Sequence, residues 1–171
     1  MRMTSALLLV SSAALALAAC SKKAPEELPP PPVDTTPAPM PSAVAPASGP
    51  AAGSQADFVA SVTSDRIFFD TDKSDVDAED QVTLRSQATW LARYPQKRIT
   101  VEGHADERGT REYNIALGER RANSAKNALV ELGVDASRIT TISYGKERPA
   151  ALGSDEASWA QNRRAVTVTV E

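Results

Sequence analysis

The chain has 171 residues and a formal net charge of −3 at pH 7, which is enough length for one domain with appendages. Its acidic balance excludes general electrostatic binding to nucleic acid, because phosphate binding requires a basic surplus. Every aromatic residue lies between Phe58 and Trp159, and ten of the twelve prolines lie between Pro25 and Pro50. We therefore predict an unstructured leader followed by a single domain at residues 57–171.

The first residues are typical of an export signal. Arg2 precedes an apolar run from Ala6 to Ala19, which is too short for a membrane span of about 20 residues but fits a signal peptide. The sequence Leu17-Ala18-Ala19-Cys20 resembles the bacterial lipobox, in which the cysteine is acylated. We predict a lipoprotein signal peptide at residues 1–19 and lipidation of Cys20. The alternative is an ordinary secretory signal with a coincidental cysteine.

Residues 20–56 are predicted to form a disordered tether. They are rich in Pro and Ala and lack aromatic residues, so they cannot bury enough apolar surface to offset their ordering entropy. Ser21 follows the cysteine in place of the aspartate associated with inner-membrane retention. This favours delivery to the outer membrane, with the domain in the periplasm.

The remainder of the chain alternates between strand and helix patterns. Strands are predicted at 66–69, 98–104, 138–144 and 164–170, and helices at 77–94 and 111–132, with a short helical stretch near 155–160. The last strand places Val166, Val168 and Val170 on one face, and its threonines on the other. Strands with one apolar face favour an α+β fold of two layers, in the order β-α-β-α-β-β, with helices packed on one side of a mixed sheet.

Most catalytic sites are excluded by residue type. His104 is the only histidine and Cys20 the only cysteine, so a two-His metal site, a CxxC site and a disulfide within the chain are ruled out. No glycine-rich phosphate loop or GxSxG motif occurs. We therefore predict neither a cofactor nor a metal. Glu102, His104 and Asp106 alternate along one strand, which leaves a periplasmic cell-wall hydrolase as the alternative function.

A second group of residues favours a ligand-binding site. Asp106 follows the second strand, and Asn114, Leu117 and Arg121 share one face of the long helix, over a length of about 10 Å. A carboxylate that faces a guanidinium suits a small zwitterion. Asp106 and Arg121 could equally neutralise each other as an ion pair that holds the fold.

Five ordered blocks of sequence, within residues 66–170, resemble the OmpA-like peptidoglycan-binding domain family. They are Phe69-Asp70-Thr71-Asp72-Lys73, Val101-Glu102-Gly103-His104-Ala105-Asp106-Glu107-Arg108-Gly109-Thr110, Tyr113-Asn114-Ile115-Ala116-Leu117-Gly118-Glu119-Arg120-Arg121-Ala122, Ser143-Tyr144-Gly145-Lys146-Glu147 and Asn162-Arg163-Arg164-Ala165. The resemblance implies that Asp106 binds the ammonium and Arg121 the carboxylate of meso-diaminopimelate in the peptidoglycan stem peptide. The other binding residues that it implies are Asn114, Phe69, Asp70, Thr71, Asp72, His104 and Leu117.

The resemblance also implies a role for the whole chain. It would be a non-catalytic lipoprotein that links the outer membrane to the cell wall and takes part in envelope integrity and cell division. Its partners would be peptidoglycan, the periplasmic protein TolB and other Tol proteins. On this interpretation, Asp106→Ala or Arg121→Ala abolishes co-sedimentation with peptidoglycan while the domain stays folded.

Overall fold

The computed structural model describes residues 49–170. Its helices are α1 (Gln55–Ser61), α2 (Ala78–Arg93), α3 (Arg111–Glu131) and α4 (Glu156–Asn162), and its strands are β1 (Arg66–Phe68), β2 (Arg98–His104), β3 (Ile139–Gly145) and β4 (Arg164–Val170). The predicted signal peptide, Cys20 and most of the predicted tether lie outside the described residues. Within the described range, no helix has both the length and the apolar character needed to cross a membrane.

The four strands form one mixed sheet in the order β1-β4-β2-β3. Strand β2 runs parallel to β3, and β4 runs antiparallel to both β2 and β1. Helix α3 packs on β2 and β3, and the buried side chains of β2, Ile99 and Val101, face the helices. The predicted α+β fold is confirmed.

Strand β4 presents its threonines, and not its valines, to the helices. The register pairs Thr167 with Val101 and Thr169 with Ile99, and residues opposite each other in a sheet point to the same face. The Thr167 hydroxyl is buried but donates a hydrogen bond to Oε1 of Gln87 at 2.8 Å. Because α2 supplies that acceptor, a polar side chain is tolerated on the core face.

Helix α1 was not predicted, and it begins before the predicted domain boundary at residue 57. Its N-cap is Ser54, whose hydroxyl accepts from the N–H of Asp57. The Gln55 side chain accepts from the N–H of Thr169 at 2.7 Å, and Phe58 packs edge-on against Trp90 with ring centres 5.0 Å apart. The short helix therefore covers the edge of β4 beyond the three-residue strand β1. The contacts that hold it are with residues distant in the chain.

Two glycines bring α3 close to the sheet. A Cβ atom added to Gly103 would overlap the carbonyl oxygen of Gly118, and one added to Gly118 would overlap Oγ of Ser143 and lie 2.8 Å from the carbonyl oxygen of Gly103. Only residues without a side chain permit this backbone approach. It brings the first half of α3 against the carboxyl end of β2, where the candidate site lies.

Candidate ligand-binding site

A pocket of about 260 Å³ opens at the carboxyl end of β2. One wall comes from the loop after β1 and the other from the loop between β2 and α3 together with the first turn of α3. The lining residues are Thr71, Asp72, Asp106, Arg108, Gly109 and Tyr113. Thr71, Asp72 and Asp106 belong to the predicted site.

The Asp106 carboxylate is almost buried and is surrounded by arginine. Its Oδ1 accepts from both the backbone N–H and Nε of Arg108, each at 3.1 Å. Its Oδ2 accepts from Nη2 of Arg108 at 2.6 Å and from Nη1 of Arg163 at 3.4 Å. Burial raises the pKa of Asp106, but the hydrogen bonds from Arg108 and Arg163 outweigh burial and hold this pKa below its usual value. The pocket therefore contains a fixed negative charge at neutral pH.

Arg121 is fully buried and binds three backbone carbonyls. Its Nε donates to Lys73 at 2.8 Å, its Nη1 to His104 at 2.8 Å and its Nη2 to Asp70 at 3.0 Å. Burial lowers the pKa of Arg121 to about 10, against the attraction of Asp106, so the guanidinium remains charged. Arg121 thus joins the loop after β1 to the end of β2, and so joins the two walls of the pocket.

The predicted alternative of an Asp106–Arg121 ion pair is not what holds this region together. Over residues 49–170, the salt-bridge partners of Asp106 are Arg108 and Arg163, and the hydrogen-bond acceptors of Arg121 are carbonyls. Arg121 is therefore a structural residue as well as a candidate binding residue. This geometry argues against the expectation that Arg121→Ala leaves the domain folded, because the substitution would remove hydrogen bonds from one buried and two partly buried carbonyls.

Three other predicted site residues lie beneath the pocket. Asn114 is buried and donates through Nδ2 to the carbonyl of Arg108 at 2.7 Å, which holds the β2–α3 loop. Leu117 and Phe69 are buried, and the Phe69 ring centre lies 5.2 Å from the guanidinium carbon of Arg121. These side chains support the pocket and do not line it.

The loop after β1 carries backbone strain and unused donors. Asp72 has φ 57°, the only positive φ among the non-glycine residues at 49–170, and its Oδ1 accepts from the Tyr113 hydroxyl at 3.1 Å. In that same range, the backbone N–H groups of Asp70, Thr71 and Asp72 donate to no protein acceptor. The exposed Asp70 carboxylate pairs with Lys73 at 2.9 Å. Strained backbone with free donors is typical of a ligand-binding loop.

The residues of the hydrolase alternative do not assemble into one site. The His104 ring is buried, with Nε2 3.8 Å from a carboxylate oxygen of Glu102, and it stacks beside Tyr144. Asp106 instead bonds to arginines in the pocket. In the described part of the chain, no group of three His, Cys, Asp or Glu residues could hold a metal ion. Of His104, only the backbone carbonyl contacts the pocket framework, through Arg121.

The buried His104 ring leads us to predict that the domain loses stability at acidic pH. Burial and then the charges of Arg164, Arg148 and Arg66 lower its pKa from 6.5 to about 4, and neither ring nitrogen has a hydrogen-bond partner. Because the folded pKa lies below the unfolded value, the folded state binds fewer protons, and stability is lost as the pH falls from 6.5 to 4. The backbone of Arg148 partly opposes this lowering of the pKa. Wild type should lose about 3 kcal/mol more than His104→Leu between pH 7.5 and pH 4.

Urea unfolding of both proteins at each pH measures this difference. Other carboxylates titrate in both proteins, so their contribution cancels in the comparison. Equal losses in wild type and His104→Leu would contradict the prediction.

Sequence reasoning missed four residues that shape the pocket. Arg108, Gly109 and Tyr113 line it. Arg163 is buried, pairs with Asp106 and donates from Nε to the carbonyl of Phe69 at 3.0 Å. All four lie within the sequence blocks that carry the family resemblance, so a signal was present, but spacing along the chain did not show which side chains converge.

Comparison with known proteins identifies the class. A family model described as the OmpA family matches residues 68–163, and this match covers more than half of the chain. The chain therefore belongs to the OmpA family. The C-terminal domain of MotB from Helicobacter pylori has the same fold at 19% identity, with a TM-score of 0.58 over 63% of this chain and 84% of that one.

More similar relatives share one name. The chain is 62% identical over 116 residues to the "Peptidoglycan-associated lipoprotein" of Agrobacterium fabrum, which covers 68% of this chain and 65% of that protein. The chain thus spans slightly less than two thirds of that relative. A crystal structure of the peptidoglycan-associated lipoprotein from Burkholderia pseudomallei matches with a TM-score of 0.63 and 44% identity, over 67% of this chain and all of that one.

Proposed function

We propose that the chain is a non-catalytic lipoprotein whose domain binds peptidoglycan at the pocket around Asp106. The proposal is supported by relatives named for peptidoglycan association. The observation that carries it is the ionised Asp106 carboxylate in a pocket whose opposite wall offers unused backbone donors. This combination of charge and donors matches a zwitterion, which meso-diaminopimelate presents at the free end of its side chain.

The two ends of the ligand would meet different groups. Its ammonium would bind the Asp106 carboxylate, since charge-assisted hydrogen bonds are the stronger kind. Its carboxylate would accept from the N–H groups of Asp70, Thr71 and Asp72, with the positive charge of Arg121 beneath them. The loop wall and the β2 wall hold a fixed separation because Arg121 bonds to both. This fixed separation would select for the span between the two charged groups.

Asp106→Asn tests the binding site with little change of shape. Loss of the charge should weaken co-sedimentation with purified peptidoglycan by about tenfold or more, since a hydrogen bond to a charged group contributes about 1.5–3 kcal/mol. Glu119→Gln is the matched control, because Glu119 is an exposed carboxylate on α3. Co-sedimentation of Asp106→Asn at the wild-type level would refute the site assignment.

We further propose that residues 1–19 are a signal peptide and that acylated Cys20 anchors the chain in the outer membrane, with the following segment as a tether into the periplasm. Several acyl chains on one residue would give stable anchoring. Cys20→Ala should leave unprocessed precursor that incorporates no labelled palmitate, whereas Ser21→Ala should label normally. Palmitate incorporation into Cys20→Ala would contradict the anchor.

An anchored domain that binds the cell wall would connect the two layers of the envelope. We place the chain in the Tol-Pal system on this basis, with TolB as a partner whose binding surface overlaps the pocket and with a role in envelope integrity and cell division. Competition of a meso-diaminopimelate peptide against TolB binding would test the overlap. Additive binding of both would contradict it.

A further inference from the structure

Arg108 lines the pocket and binds the carboxylate of Asp106 through a two-point contact. Nη2 lies 2.6 Å from Oδ2 and Nε lies 3.1 Å from Oδ1. Nη2 also lies 3.3 Å from the Thr71 hydroxyl on the opposite wall. The Arg108 side chain is 40% exposed while that of Asp106 is 9% exposed. Arg108 therefore stands between the carboxylate and solvent.

We propose that Arg108 is an internal competitor for the ligand, because its guanidinium occupies the position on Asp106 that a ligand ammonium would take. Binding is then an exchange of one cation for another. This inference rests on the proposed function, in which Asp106 receives the ammonium.

The framework around Asp106 allows the exchange without rearrangement of the backbone. The backbone N–H of Arg108 donates to Oδ1, and Arg163 donates to Oδ2, so the carboxylate keeps two donors when the Arg108 side chain leaves. Asn114 holds the carbonyl of Arg108 at 2.7 Å. Only the exposed side chain has to move.

The guanidinium of Arg108 already contacts a second group that can hold it, the indole of Trp159. The guanidinium carbon of Arg108 lies 4.3 Å from the centre of the Trp159 ring, within the range of a cation–π interaction. The Trp159 indole is itself held by Nε1 donating to a carboxylate oxygen of Glu107 at 3.0 Å. Arg108 can therefore release Asp106 and keep its contact with the indole.

The exchange would make the pocket selective. A simple amine gains less than it would at a free carboxylate, because its ion pair with Asp106 replaces an existing, partly exposed one. A zwitterion also gains hydrogen bonds from the N–H groups of the 70–72 loop, and its carboxylate attracts the displaced guanidinium. Arg108 would thus lower the affinity for all ligands while it favours those that carry both charges.

Arg108→Ala tests the proposal in the full-length protein, with a tripeptide stem that ends in meso-diaminopimelate as the titrant in calorimetry. We expect Arg108→Ala to bind about three- to tenfold more tightly than wild type, since a partly exposed ion pair no longer has to be broken. Arg108→Lys should fall between the two, because lysine keeps the charge without the two-point contact. Arg111→Ala is the matched control, as Arg111 pairs with Glu147 and does not touch Asp106.

The outcomes distinguish the proposed role of Arg108 from the proposed binding site at Asp106. If Arg108→Ala binds the tripeptide equally well or more weakly and wild type still binds it, then Arg108 is not a competitor. The proposed function would be unaffected by that result. Tighter binding by Arg111→Ala to the same extent would also overturn the role of Arg108 as a competitor, because the gain would come from net charge alone. If wild type and every variant fail to bind the tripeptide, the proposed function fails, and the competitor fails with it.

Discussion

Arg121→Met should destabilise the domain by about 3–5 kcal/mol, which is the low end for three hydrogen bonds to a charged group at about 1.5–3 kcal/mol each, since two of the three are only partly buried. Methionine has a similar length but no donor, so the carbonyls of Asp70, Lys73 and His104 would lose the hydrogen bonds that Arg121 donates. Arg121→Lys should also destabilise, because one ammonium cannot reproduce a planar fork aimed at three acceptors. Urea unfolding measures both effects.

The neighbouring arginine provides the control. Arg120 is exposed on the same helix, and its guanidinium carbon lies 6.0 Å from the Tyr113 ring centre. Arg120→Met should change stability by less than about 0.5 kcal/mol, as is usual for surface positions. If Arg121→Met unfolds at the same urea concentration as Arg120→Met, then the three carbonyl bonds do not support the fold.

The instability of an Arg121 variant would change how a loss of the proposed peptidoglycan binding is interpreted. An Arg121 variant would lose binding because the two walls of the pocket separate, whatever Arg121 contributes to the ligand directly. Asp106→Asn keeps the framework, since an asparagine Oδ1 can still accept from the backbone N–H of Arg108, and Asp106 makes none of the three carbonyl bonds through which Arg121 joins the walls. A substitution at Asp106 therefore tests ligand recognition, whereas a substitution at Arg121 tests how the walls of the pocket are held together.

Gly118→Ala should destabilise the domain by about 2–3 kcal/mol through overpacking against the sheet. The direction of the change in the free energy of unfolding is informative, because alanine in an exposed helix stabilises by about 1 kcal/mol relative to glycine. At residue 118, the new Cβ would overlap Oγ of Ser143 and press on the carbonyl of Gly103, which is backbone and cannot turn aside. The measurement is the free energy of unfolding in urea.

Ala116→Val is the control for Gly118→Ala. Residue 116 is exposed on the same helix, so added volume there meets solvent, and the cost should not exceed the helix-propensity difference between alanine and valine, at most about 0.7 kcal/mol. A Gly118→Ala protein more stable than wild type would show that α3 can move away from β2. In that case the position of Asn114 and Arg121 under the pocket would not depend on the glycine contact.

Regular periodicity made the central elements predictable. Strands β2 and β4 have the predicted limits of 98–104 and 164–170, because their apolar residues alternate. Helix α3 was predicted from its spacing, and Gly133 follows it with φ 95°, as expected of a residue after a helix end. Helix α1 could not be predicted in this way, because Phe58 and Gln55 are ordered by Trp90 and Thr169, which are distant in the chain.

The sequence by itself determined the charge, the elements and the family resemblance, including Asp106 as the acid at the end of β2. These follow from residue type and local spacing, which act over one or two turns. Only the tertiary structure decided that Arg108 covers Asp106, that Arg163 supports it, and that Arg121 binds carbonyls below the pocket. Helical spacing shows that Asn114 and Arg121 share a face, but it does not specify what that face meets. That depends on the Gly103–Gly118 contact, which sets the distance between helix and sheet.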